Sequence, residues 1–162
     1  MNIPEWAMRL PLNLIHKKAK QFELDECLIA AICWKESRGF VYAVRFEPNF
    51  KWLVTPEKYA KQMMISVDTE KNLQMQSYGL TQLMGGTCRW LGFDGALPAL
   101  FKPENNLFWC CKYLQKLSNK YDNIDDVIAS YNAGSPRKAM GEIYVNQAYV
   151  DDVKKYIAEL KG

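Results

Sequence analysis

The chain has 162 residues, enough for one ordinary domain whose core needs no disulfide staple or structural metal. Apolar residues make up 49% and charged residues 24%, which excludes a disordered chain and an integral membrane protein. The formal charge of +3 is spread along the sequence apart from a short "HKKAK" cluster, and it is too weak a signal to argue for nucleic acid.

Apolar residues recur at helical spacing nearly throughout, so the chain reads as mainly α. The N-terminal stretch "MNIPEWAMRLPLNL" lacks the basic start, long apolar centre and small-residue cleavage site of a signal peptide. No apolar run approaches the ~20 residues of a bilayer span. Pro11 opens a helix to about Phe22, and Asp25 caps a second whose stripe is Leu28, Ile29, Ile32 and Cys33. Glu36 falls one turn after Ile32 and continues that buried face. Desolvation there raises a carboxyl's pKa and favours the protonated form.

After Gly39, "FVYAVRFEPNFKWLV" is the one stretch rich in β-branched and aromatic residues, and a small hairpin or extended loop is expected. Thr55-Pro56-Glu57 starts a third helix, Asp68 caps a short fourth, and "SYGLTQLMGGT" reads as a brief helical segment punctuated by Gly79, Gly85 and Gly86. Pro103 opens a long helix with Leu107, Cys111, Leu114 and Leu117 inward. Asp122 or Asn123 caps the next, which stops at Gly134, and a last helix from about Asn146 to Leu160 buries Val150, Val153 and Ile157. There is no linker, repeat or low-complexity segment, so residues 1–162 are expected to form a single domain.

The five cysteines contain no C-x-x-C pair and are joined by one histidine, His16. They read as buried free thiols of a reducing compartment, with no metal site and no cofactor. A Ser-His-Asp or Cys-His mechanism would have to use His16, which sits in a lysine-rich helical stretch.

Three punctuation points place a precise hydrogen-bonding residue beside a glycine or helix end: Glu36-Ser37, Gly79-Leu80-Thr81-Gln82 and Ser130-Tyr131-Asn132-Ala133-Gly134. In this order, and followed by Tyr149-Val150 in the last helix, they resemble the soluble lytic transglycosylase (SLT) domain, a relative of goose-type lysozyme. The likeness spans roughly Asp25 to Ile157, with two departures: Thr81 stands where the family has Met, and the spacer of residues 38–78 is longer than usual. Within that spacer, "RFEPNF" is also similar to phage-type N-acetylmuramidases.

The resemblance implies a lysozyme-like helical fold that cleaves the MurNAc-GlcNAc β-1,4 bond of peptidoglycan glycan strands and leaves a 1,6-anhydroMurNAc end. It implies Glu36 as the acid, Tyr131 positioning the sugar or the Glu, Gln82 and Asn132 bonding N-acetyl and hydroxyl groups, and Ser37 orienting substrate, with Tyr149 and Tyr78 also at the site. The chemistry fits the residues independently, because glycosidic cleavage needs a protonated carboxyl in a partly apolar setting.

Glu47 would be a second carboxylate facing the groove if the chain folds back after Gly39. Otherwise it pairs with Arg45 or another cation and only holds the loop. Trp52, Tyr78, Trp90 and Phe93 lie in or near the groove segments, as sugar-stacking rings or as core.

Two further readings use the same residues: a hydrolysing muramidase built on Glu36, and a non-catalytic wall-binding module such as a phage tail component. With no export signal, the protein is expected to be made in the cytoplasm and to reach the cell wall through a holin, a phage particle or a secretion machine.

Overall fold

The computed structural model describes residues 3–162; Met1 and Asn2, which begin the N-terminal stretch read above, lie outside them. In chain order the elements are α1 (Leu12–Phe22), α2 (Glu26–Ser37), β1 (Val44–Phe46), α3 (Pro56–Met63), α4 (Val67–Gln74) and β2 (Gln76–Tyr78). They continue with β3 (Leu83–Met84), α5 (Gly85–Trp90), α6 (Pro103–Lys120), α7 (Ile124–Ala133), β4 (Lys138–Met140), β5 (Ile143–Tyr144) and α8 (Gln147–Lys161). The fold is mainly α, with two small antiparallel strand groups.

Helix α2 is the centre of the molecule. The Asp25 side chain accepts a hydrogen bond from the Cys27 N–H at 2.9 Å, which starts the helix. Leu28 through Cys33 are then all buried, so the helix is apolar around its whole circumference. It packs against α1, α8 and the 3-10 turn Gly79–Thr81. Arg38 ends it in the left-handed region at φ 54, and Gly39 follows at φ 82, where a Cβ would lie 2.8 Å from the Arg9 carbonyl oxygen. This reversal sends the chain from the acid-bearing end of α2 into β1.

The other helices follow their sequence signals with two corrections. Ser66, not Asp68, caps α4: its hydroxyl accepts from the Thr69 N–H at 3.0 Å, while Asp68 lies inside the first turn, where its charge complements the helix dipole. Asn123 caps α7 through the Asp125 N–H. In α8, Val150 and Val153 are buried but Ile157 is only half-buried, at the edge of the core.

Of the two forms expected after Gly39, the extended loop is the one found: within residues 40–54 only β1 forms, and it pairs with β2, beyond the interval filled by α3 and α4, in the order β1-β2-β3. Val44 faces Tyr78, Arg45 faces Ser77, and Phe46 faces Gln76. The stretch "SYGLTQLMGGT" departs from expectation: it is a strand, a 3-10 turn, a second strand and only then a helix, because Gly79 (φ 66) and Gln82 (φ 50) both sit in the left-handed region, which interrupts an α-helix. The β4–β5 pair after α7 carried no signal recognised in the sequence.

Helices α4 and α5 are joined by a fully buried ion pair. Arg89 Nε and Nη2 donate to the two Glu70 carboxylate oxygens at 2.8 and 3.2 Å, Nη1 donates to the Phe93 and Gly95 carbonyls, and Gln74 donates to Glu70. Each guanidinium nitrogen and each carboxylate oxygen of the pair has a partner, which is what makes burial of two charges tolerable. Replacing Arg89 alone with Met strands a buried carboxylate and is expected to lose about 3–5 kcal/mol in urea denaturation. The double replacement Glu70→Gln with Arg89→Met should recover part of that loss.

Candidate active site

Glu36 lies in the last turn of α2, half-buried, with its Oε1 accepting a 2.7 Å hydrogen bond from the hydroxyl of Tyr149 on α8. Burial pushes its pKa up to about 7, against the opposing pull of the Tyr149 hydrogen bond and of the nearby Arg45 and Lys35 cations. Desolvation therefore wins over the one hydrogen bond and two cations that favour the anion. Lys35 is itself held by Asp152 at 2.6 Å, so part of its charge is already answered.

The end of α2 packs on the Gly79–Thr81 turn, which three helices grip. Ser37 Oγ, at the end of α2, donates to the Leu80 carbonyl at 2.8 Å and to Cys33 at 3.1 Å. Tyr131 of α7 donates to the Thr81 carbonyl at 2.8 Å. Asn106 of α6 is fully buried: its Oδ1 accepts from the Thr81 N–H and hydroxyl, and its Nδ2 donates to the carbonyls of Tyr78 and Leu100. Gln82 folds back so that its Nε2 donates to the carbonyls of Ala43 and Gly79, and its Oε1 accepts from Ser77. Gly79 has no room for a side chain, since a Cβ would meet Asn106 Nδ2 at 3.0 Å and the Val41 carbonyl at 3.2 Å.

The expected site residues thus separate by what they touch. Tyr149 contacts the acid directly, while Ser37, Tyr131 and Gln82 hold backbone around it. Asn132 is exposed and accepts from Asn146 Nδ2 at 3.0 Å, leaving its own amide N–H groups to solvent. Tyr78 is core: its hydroxyl donates to the Leu73 carbonyl at 2.7 Å and its ring packs edge-on against Phe101, so it offers no surface to a sugar. Phe93 is buried too, whereas Trp52 and Trp90 are exposed. Glu47 pairs with Arg45 on the rim of the sheet.

Residues 13–148 match the family described as the transglycosylase SLT domain. The chain belongs to that family. Its members are peptidoglycan lytic transglycosylases, and the mainly α architecture with small strand pairs agrees with the SLT fold. No curated protein and no solved structure matches the chain. Among the described residues, no helix of this SLT domain is long and apolar enough to cross a membrane.

Sequence reasoning missed Asn106. A signal existed: Asn106, Cys110, Leu114 and Leu117 lie on one inward stripe of α6, and a lone amide on an apolar stripe must find partners there. Thr81 acquires its meaning from the same contact. Its hydroxyl bonds Asn106 at the position where the family carries Met.

Two outcomes follow from this geometry. Asn106→Ala leaves two carbonyls, an N–H and a hydroxyl buried without their partner, and a loss of at least about 3 kcal/mol is expected in chemical denaturation. Glu36 has a folded-state value near 7 against 4.5 for the free group, so stability is lost as pH rises from 4.5 through 7. Glu36→Gln removes that loss. The variant should exceed wild type by up to about 3 kcal/mol at pH 8 and match it near pH 4, read as paired thermal melts.

Proposed function

We propose that this SLT domain, taken as a single lysozyme-like unit over residues 1–162, cleaves the MurNAc-GlcNAc β-1,4 bond of peptidoglycan by intramolecular transglycosylation. The observation that supports it most is the Glu36 carboxyl, half-buried, hydrogen-bonded by Tyr149 and about half protonated near neutral pH. Protonated Glu36 donates to the leaving glycosidic oxygen. The resulting carboxylate then takes the proton of the sugar's own 6-hydroxyl as that oxygen attacks C1, closing the 1,6-anhydro ring. One carboxyl serves as acid and then as base, and no activated water is needed.

The state of Glu47 supports this route over hydrolysis. An inverting hydrolase needs a second, free carboxylate to activate water across the sugar ring. Glu47 is instead tied to Arg45, which favours the role of a rim contact. Tyr149 holds Glu36 in position, and the exposed Asn132 is the residue of the Tyr131-Asn132 pair whose amide can meet the sugar's polar groups. Ser37, Tyr131 and Gln82 act through the backbone they fix.

Glu36→Gln should lower cleavage of purified cell walls ~100- to 10,000-fold, the range for loss of general acid catalysis. Glu47→Gln should lose far less. Mass spectrometry of the wild-type digest should show anhydro-muropeptides; reducing-end products together with a collapse of the Glu47 variant would establish the hydrolase instead. Because the acid must be protonated, kcat/KM should fall about tenfold per pH unit above 7.

A further inference from the structure

Resting on the peptidoglycan reading above, we infer that Arg45 recognises a carboxylate of the peptide stem borne by the muramic acid at the cleavage point. Arg45 lies on β1, the edge strand of the sheet, directly opposite Ser77. Cross-strand partners share a face, and the Ser77 hydroxyl on that face donates to Gln82 beside the Gly79–Thr81 turn. The strand thus presents the guanidinium at the rim of the same site that holds Glu36, whose ionisation feels its charge.

The guanidinium is also available. Its side chain is 74% exposed, and its single polar contact among the described residues is the Nε–H donated to Glu47 Oε1. The N–H groups on Nη1 and Nη2 remain free, and together they form the planar fork that fits a carboxylate in two parallel hydrogen bonds. Glu47 fixes one edge of the guanidinium and so orients the other. Lys35, the other cation that Glu36 feels, is occupied by Asp152 and does not compete.

In a stem-bearing strand the muramic lactyl carboxyl is closed as the amide that carries the stem, so the sugars offer only neutral hydroxyl and amide groups. The carboxylates of such a strand lie on the stem, and the open Nη1–Nη2 fork at this rim matches them rather than the sugars. The assignment also resolves an apparent contradiction. A cation beside an acid that must stay protonated works against it; Glu47 answers part of the Arg45 charge, and a bound stem carboxylate answers more of it and favours the protonated acid.

The test uses soluble glycan strands with native stems and the same strands after carbodiimide-mediated amidation of the stem carboxylates. Binding is measured by fluorescence anisotropy to the Glu36→Gln protein, which cannot consume them. Native strands should bind roughly tenfold tighter than amidated ones, the scale of one charge-assisted contact. Adding Arg45→Gln should abolish the difference, and adding Lys116→Gln, an equal loss of charge on the exposed face of α6, should leave it intact.

A preference that survives Arg45→Gln, or no preference in the protein that retains Arg45, overturns the assignment. Wild-type turnover of the same strands separates the two claims. Cleavage without stem preference removes the role of Arg45 alone. Preference without cleavage removes the transglycosylase reading alone and keeps the recognition. Absence of binding by either strand removes both.

Discussion

The structure depends on one buried amide. Asn106 makes four hydrogen bonds in a space without solvent, and they define the path of the chain from Tyr78 to Thr81. That short turn is also where α2 attaches through Ser37 and α7 through Tyr131, and beside it Gln82 ties the Ala43 carbonyl that leads into β1. A turn of three residues has no stability of its own. Its conformation is imposed by its neighbours, and it in turn fixes where the end of α2 stands relative to the sheet. Catalytic geometry tolerates displacements of well under an ångström, so a satisfied, immobile amide holding that turn is worth more than a flexible apolar filler of equal size.

Around Glu36 the balance is between desolvation and its opponents. One phenolic hydrogen bond and two cations favour the anion, yet burial still lifts the group to about 7. Had Glu36 sat one turn further out, in solvent, the desolvation that raises it would be lost and the ordinary carboxylate value would prevail. The site therefore carries an intrinsic instability, since the folded protein holds a carboxyl in a place that water would serve better. Function and stability oppose each other at this one residue.

Much of this was legible in the sequence, and the exceptions have physical reasons. Pro11, Asp25, Pro56, Pro103, Asn123 and Gly134 mark helix ends correctly because capping is a local interaction between residues a few positions apart. The desolvated setting of Glu36 followed from helical spacing after Ile32. The strand material of β1 was legible but its pairing was not, because strands of two or three residues are selected by partners far along the chain rather than by their own composition. Tyr78 and Gln82 illustrate the same limit at the site. Their types suit sugar binding, but Tyr78 points into the core and Gln82 onto the backbone, and only the register of β1 on β2 decides that.

The acid and its tyrosine are separated by 113 positions along the chain. Between them the site draws on β1, the turn, α6 and α7, so contributions arrive from nearly every part of the sequence. Contacts of such high sequence separation form late, after loop closure has been offset by the bulk of the core. No fragment of the polypeptide contains the acid together with what tunes and positions it. A chain whose last helix has not docked leaves Glu36 without its tyrosine and closer to water, where its carboxyl ionises as an ordinary glutamate does. On the proposed reaction, completion of the fold is the event that makes the acid.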